Sequence, residues 1–135
     1  MKEKILETLN NLGFNLTEAS TFGYTFKYEG INFLYLYNES DENFLNISIP
    51  GIFDLDKDNT PMYYTMCEKI NSTLKYIKAF TVNDSLWLFY ERELFGNEDL
   101  EGLLTRMIHQ LTAALLIVRN TIQKSDGEDV TDDNN

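Results

Sequence analysis

Three aspartates at alternate positions come nearest to a chemical site in this sequence: Asp54, Asp56 and Asp58. A carboxylate of this kind can attack a phosphoryl group while a second one nearby transfers protons. The pattern therefore suggests a cation-dependent phosphatase-type enzyme. We keep this as the weakest of three functional hypotheses, because no later Lys and acidic pair completes such a site.

The same three aspartates also occupy positions one, three and five of a calcium-binding loop. Position six of that loop requires Gly and position twelve Glu, but here they are Asn59 and Thr65. The competing interpretation is an acidic turn that leads into a helix, with Thr60 as the N-cap and Pro61 at the first helical position.

The chain has one histidine, His109, and one cysteine, Cys67. These two residues on different elements do not make up a zinc site, and His109 has no identifiable nucleophile or carboxylate partner. Cys67 lies on the apolar face of a predicted helix, where we expect it to act as a buried small hydrophobe. We predict no catalytic residues, no metal ligands and no cofactor.

The composition favours a folded, strongly acidic protein. Of its 135 residues, 43% are hydrophobic and 13% aromatic, and 22 acidic side chains against 11 basic ones give a formal net charge of −11. This charge disfavours nucleic acid and anionic membrane surfaces, and it favours basic proteins or peptide segments as partners. The single thiol and the early acidic residues, which interrupt any secretory apolar segment, predict a cytoplasmic protein.

The periodicity of apolar residues predicts an α+β fold of the order α-β-β-β-α-β-β-α, with one antiparallel sheet of about five strands and helices packed on it. Phe22, Tyr24, Phe26 and Tyr28 alternate with smaller or polar residues, as in a half-buried strand. The predicted strands are 22–28, 31–37, 43–49, 76–82 and 86–91, and the predicted helices are 5–12, 61–74 and 98–124. Hairpin turns are predicted at Glu29-Gly30 and Asn83-Asp84, and Pro50-Gly51 is expected to end the third strand. The strand 31–37 is apolar on both faces and is expected inside the sheet, and Asn97 is the predicted N-cap of the last helix. We predict one domain, 1–124, followed by a disordered acidic tail, 125–135.

The last predicted helix is more apolar than one packing face requires. Leu115 to Val118 is apolar nearly all round, so this turn needs a cover on more than one side. The sheet supplies one cover and a second subunit could supply the other. We therefore predict a homodimer or partner interface at Leu111, Leu115 and Leu116.

Several segments together resemble the YbjN-type family of bacterial proteins, which is similar in fold to the small chaperones of type III secretion. The resemblance lies in the run from Tyr24 through Phe33, the strand Phe44 to Pro50, and the residues Ile70-Asn71 and Leu74 to Lys78. It implies a type III secretion chaperone-like α+β domain, often homodimeric, with no enzymatic activity. No functional residues carry over from it.

Our first functional hypothesis is a non-enzymatic protein-binding module, chaperone-like or regulatory, that acts as a homodimer. The second is a small-molecule-binding sensory domain with a pocket between the aromatic strands and a helix. The phosphatase-type enzyme at Asp54, Asp56 and Asp58 is the third.

Overall fold

The computed structural model describes residues 1–20 and 23–133, and within these the side chains as far as Lys124. The predicted α+β class and the single antiparallel sheet are confirmed, with one strand more than expected. The elements are α1 (Lys2–Asn11), β1 (Thr17–Ser20), β2 (Gly23–Tyr28), β3 (Ile31–Leu36), a 3₁₀ turn (Glu39–Asp41), β4 (Phe44–Asp54), α2 (Thr60–Thr73), β5 (Ile77–Val82), β6 (Ser85–Glu93) and α3 (Leu100–Asp133).

The six strands lie in the order β1-β2-β3-β4-β6-β5, and every neighbouring pair is antiparallel. Both predicted hairpin turns are confirmed. Glu29 and Gly30 have φ of 51° and 78°, and Asn83 and Asp84 have 52° and 62°. Positive φ at both central residues is the requirement of the two-residue turns that match the twist of the strands they join.

The additional strand, β1, is not predicted by the sequence because its four residues are polar or small and almost entirely exposed. It pairs only with β2 and forms one edge of the sheet. The predicted strand that begins at Phe22 becomes β2, which begins at Gly23. Phe22 itself lies outside the described residues.

β4 is longer than predicted. We expected it to end at Pro50-Gly51, but it continues to Asp54 through a register shift between Ile49 and Phe53. Gly51 has φ of 56°, a conformation that glycine adopts without strain, and a bulge accommodates the missing N–H of Pro50. β4 therefore continues beyond Pro50 and Gly51, although this pair normally ends a strand.

The core lies between one face of the sheet and the three helices. The alternating residues Leu45, Ile47 and Ile49 of β4 and Leu86, Leu88 and Tyr90 of β6 point into it. From the helices come Ile5 and Leu9 of α1, Met66 and Ile70 of α2, and a long stripe of α3 from Leu103 to Val118.

The outer edge of β5 is covered by α2. The Asn71 side chain donates from Nδ2 to the Ala79 carbonyl oxygen at 3.1 Å and accepts at Oδ1 from the Ala79 N–H at 2.7 Å. These two bonds are the ones that a further strand would form at this position. Asn71 therefore closes this edge to strand pairing at Ala79.

α3 begins two residues later than predicted, at Leu100. Asp99 Oδ1 accepts the Gly102 N–H at 3.3 Å and the Asp99 carbonyl accepts from Leu103 at 2.9 Å, so Asp99 is the N-cap rather than Asn97. A Cβ at Gly102 would lie 2.6 Å from Asp99 Oδ2, so a larger residue here would require the Asp99 carboxylate to shift. The backbone of α3 is helical to Asp133, past the predicted end at Lys124. The predicted disordered tail, 125–135, falls on residues whose side chains lie outside the described part of the chain, and it stays a prediction.

Candidate interaction surface

The three leucines predicted to form an interface have different environments. Leu111 and Leu115 are 0% and 3% exposed and belong to the core, so the chain's own sheet already covers them. Leu116 is 52% exposed and is the only one of the three available to a partner. Leu111 and Leu115 are therefore excluded from the predicted interface. Leu116 and the outer side of α3 remain as the predicted contact.

The Asp54–Asp58 segment is a hydrogen-bonded turn. Asp56 Oδ1 accepts the N–H groups of Asp58 and Asn59 at 2.8 and 3.1 Å, and Asn59 Oδ1 accepts the Asp56 N–H at 2.8 Å. Thr60 is the first residue of α2 rather than its N-cap, and its hydroxyl donates to the Asp56 carbonyl at 2.9 Å. Among the described residues, no three His, Cys, Asp or Glu side chains lie where they could hold a metal ion together.

Cys67 is half-buried and packs against the core. Burial raises the pKa of its thiol, which lowers the thiolate fraction and hence the reactivity near neutral pH. This environment agrees with a structural cysteine, although the side chain is less buried than we expected.

His109 lies beside Tyr28, with Nε2 3.5 Å from the tyrosine hydroxyl. Partial desolvation, and then the neighbouring Glu29 carboxylate, raise the pKa of Tyr28, so this hydroxyl stays protonated at neutral pH. The two rings border a cleft of about 170 Å³ between β2 and α3. Its lining residues are Leu12, Phe14, Tyr28, Thr105, Ile108 and His109.

Part of the face of the sheet opposite the helices is also apolar. We call it the open face and define it by Leu34, Leu36, Ser48, Phe80, Trp87 and Phe89. The strand registers place Leu34, Ser48 and Phe89 in one cross-strand row that ends at Lys78. Leu34 and Phe89 are 9% and 4% exposed, yet neither belongs to the core cluster that the helices share.

Aromatic rings cover the part of the open face that β5 and β6 form. The Phe80 and Phe89 rings stack at 4.3 Å between centroids with 8° between their planes, and Trp87 stacks on Phe89 at 5.8 Å. Phe89 is thus buried by its neighbours on the same face, while Phe80 remains 43% exposed. Sequence reasoning missed this surface, although its signal is present: Leu86 to Tyr90 is apolar at every position, and so on both faces of β6.

A short chain of polar side chains borders the aromatic rings. Lys78 Nζ lies 3.4 Å from Glu91 Oε2, and Asn46 Nδ2 donates to Glu91 Oε1 at 3.1 Å. Asn46 Oδ1 is buried and has no hydrogen-bond partner among the described residues. Glu91 is thus bonded on both sides, and it pairs with Lys78, the cation that β5 and β6 place on the aromatic part of the face.

A second exposed aromatic residue, Phe95, is held in a rigid loop between β6 and α3. The Glu98 carboxylate accepts the N–H groups of Phe95 and Gly96 at 2.7 and 2.9 Å and pairs with Arg92 at 3.0 Å. The Phe95 N–H first, and then the Gly96 N–H and the Arg92 guanidinium, lower the pKa of Glu98. Phe95 is 74% exposed at the tip of this loop.

The lowered pKa of Glu98 predicts a pH dependence. A carboxyl whose pKa is lower in the folded state stabilises the fold above its ordinary pKa of 4.5, and this contribution is lost as the pH falls through the lowered value. Glu98→Gln should therefore be less stable than the wild type at neutral pH, and the difference should shrink as the pH falls below 4.5 and through the lowered pKa. Urea unfolding across this range measures the difference, and two curves that stay parallel throughout would contradict the assignment.

The fold is that of YbjN, as the sequence resemblance implied. The crystal structure of YbjN from E. coli, described as a candidate transcription regulator, matches with a TM-score of 0.65 at 12% sequence identity. The match covers 89% of this chain and 92% of that one. No family model matches the sequence, and no curated protein matches it either. Within the described residues, none of the helices combines the length and hydropathy needed to cross a bilayer.

Proposed function

We propose that this protein is a non-enzymatic protein-binding module with a regulatory or chaperone-like role. The observation that carries the proposal is a sheet in which two interior strands, β3 and β6, are apolar on both faces while the helices pack on one face only. Strands apolar on both sides are typical of sheets that are covered on both sides. The exposed apolar side chains of the open face therefore support binding of a partner protein at this face.

The regulatory part of the proposal is also supported by the comparison with YbjN, a candidate transcription regulator. With a net charge of −11, this chain is poorly suited to direct contact with DNA phosphates, since such contact requires clustered Lys and Arg. A regulatory role would then be exerted through protein partners. The chaperone-like alternative, in which the partner is a partly unfolded client, uses the same surface.

The experiment that tests this function is affinity capture from the native host with a matched pair of variants. Phe80→Ser removes an exposed ring of the open face, whereas Tyr64→Ser removes a ring that is 63% exposed on α2. We expect a near-stoichiometric protein partner with the wild type and with Tyr64→Ser, and its loss with Phe80→Ser. Capture of no partner by any of the three proteins would count against a binding function.

We further propose that the chain forms a homodimer through the outer side of α3 around Leu116. From Gly102 to Lys124 the helix contains no acidic residue, so two copies of this acidic protein repel each other least along this segment. Exposed Ala113 next to the half-exposed Leu116 lets two such helices approach closely in a symmetric contact.

Leu116→Glu should dissociate this dimer, because it places a carboxylate of each copy in the apolar centre of the contact. Since Leu116 is half-exposed in the single chain, the fold should remain intact. Sedimentation equilibrium measures the change, with Gln123→Glu as the control for added charge at an exposed position of the same helix. An unchanged mass for Leu116→Glu would show that this turn is not an interface.

A second candidate function, small-molecule sensing, is favoured by one observation. The cleft between β2 and α3 combines the rings of Phe14 and Tyr28 with the imidazole of His109, at the place where the sequence suggested a pocket. At about 170 Å³ it is smaller than the ~300 Å³ at which ligand pockets usually begin, so it suits only a small ligand. Ligand-dependent thermal shifts across a metabolite panel test this function, and a uniformly flat panel counts against it.

A further inference from the structure

We infer that the open face binds an extended, cationic and apolar segment of a partner protein. The inference rests on the proposed binding function and names the chemistry of the partner. It depends on three properties of the described residues: the shape of the apolar surface, its exposed area and the charges at its ends.

The surface is a strip that follows β6. Glu93, Glu91, Phe89, Trp87 and Ser85 alternate along the open face of this strand, and Phe80 on β5 stacks beside Phe89. On the other side of the strip Ser48 is 0% exposed, so the surface is shallow there and is raised where the rings stack. An extended peptide, whose side chains alternate, can lay every second residue along such a strip.

The exposed apolar area is too small for a stable dimer through this face. Phe80 is 43% exposed and Phe44, on the same face at the start of β4, is 39% exposed. With about 200 Å² for a whole aromatic side chain, these two rings offer roughly 160 Å², and the partly exposed Trp87 and Leu36 together add less than that. A stable interface buries about 800 Å² on each partner, more than half of it apolar. The area therefore favours a short segment over a second copy of the chain.

The charges at the two ends of the strip are negative. Glu93 is exposed opposite Phe44 at one end, and Asp54 is exposed opposite Ser85 at the other. The ion pairs among the described side chains are Lys78–Glu91 and Arg92–Glu98, so Glu93 and Asp54 belong to neither. A segment with an apolar centre and cations at both ends complements this arrangement, and the overall charge of −11 steers it to the surface.

The chain carries its own reporter for this surface, because its single tryptophan, Trp87, belongs to the open face. The probe is the peptide Lys-Lys-Val-Ser-Phe-Ser-Val-Ser-Lys-Lys, and the matched probe has Glu in place of all four lysines. We expect the cationic peptide to shift the Trp87 emission to shorter wavelength in a saturable titration that weakens with salt. The anionic peptide should have no effect.

Two variants separate binding at this face from damage to the fold. Phe80→Ser should weaken binding of the cationic peptide at least about fivefold, whereas Tyr64→Ser on α2 should leave this binding unchanged. Lys78→Glu removes the cation of the aromatic part and should tighten binding of the same peptide about two- to fivefold. A destabilised fold would weaken binding, so it cannot produce this result. Thermal unfolding of each variant confirms that it is folded.

Four results would overturn the inference. Equal binding of the two peptides would show that charge does not determine what this face binds. If neither peptide showed saturable binding up to about 1 mM, a cationic segment would not be the occupant of the face. Saturable binding that neither Phe80→Ser nor Lys78→Glu alters would place the peptide elsewhere and leave the proposed binding function standing. A dimer that Phe80→Ser dissociates and Leu116→Glu does not would make a second copy the occupant.

Discussion

Leu111→Ala should lower the free energy of unfolding by about 2–5 kcal/mol, the largest loss that we expect from a single change in α3. Leu111 is 0% exposed and contributes to the core that α3 shares with the sheet. Removing its side chain leaves a cavity that the surrounding elements fill only in part. Urea unfolding monitored by circular dichroism measures the loss.

Leu116→Ala is the matched control, because it makes the same chemical change five positions further along the helix at a side chain that is 52% exposed. Its effect on the unfolding of a single chain should stay within about 0.5 kcal/mol. If Leu111→Ala instead dissociated a dimer while leaving the stability of the monomer unchanged, Leu111 would be an interface residue, and its burial in the core would be contradicted.

Asn71→Leu should cost about 2–4 kcal/mol and should make the protein prone to aggregation. The substitution keeps the size of the side chain but leaves the Ala79 N–H and carbonyl, bonded to Asn71 at 2.7 and 3.1 Å, without partners. Ala79 is 2% exposed, so water does not readily replace either bond. Unpaired edge groups also form a template for another strand, which light scattering during thermal unfolding detects.

The control for this second prediction is Asn10→Leu, which replaces an exposed asparagine near the end of α1. It should change the stability by no more than about 0.5 kcal/mol and should not increase aggregation. Equal effects of the two substitutions would mean that added apolar surface, rather than the lost edge bonds, is responsible.

The elements that could be predicted are those whose pattern reflects a buried face. β2 alternates between Tyr24, Phe26 and Tyr28 and smaller or polar residues, and β3 is apolar on both faces, which correctly placed it inside the sheet. Both hairpin turns were predictable because their central residues tolerate positive φ at short loop length. The resemblance to YbjN-type proteins implied the same α+β fold, and the match to the YbjN structure confirms that implication.

The failures have local physical causes. The residues of β1 are almost entirely exposed, so its sequence carries no apolar signal, and its pairing with β2 defines it as a strand. The extension of β4 depends on a bulge at Pro50-Gly51. The local sequence does not show that β6 continues to pair with β4 beyond this bulge. The N-cap of α3 moved from Asn97 to Asp99 because the Glu98 side chain is used by the preceding loop.

The candidate surface was harder to predict than the fold. A helical stripe shows which side of α3 is apolar, but it does not show how far the sheet reaches around that side, and so Leu111 and Leu115 were grouped with Leu116. The open face consists of residues from four separate strands, which become neighbours only through the registers of β3, β4, β5 and β6. Its clearest signal in the sequence is a strand that is apolar on both sides with no helix left to cover the second one.

The most direct test of the central claim is a map of backbone amide shifts during titration with the cationic peptide, recorded by ¹⁵N–¹H correlation spectroscopy. The account predicts concentration-dependent shifts at Leu34, Ser48, Trp87 and Phe89, with little change around Leu116 on α3. Shifts confined to α3, or to the cleft beside Tyr28 and His109, would contradict the assignment of the open face as the surface that binds partners.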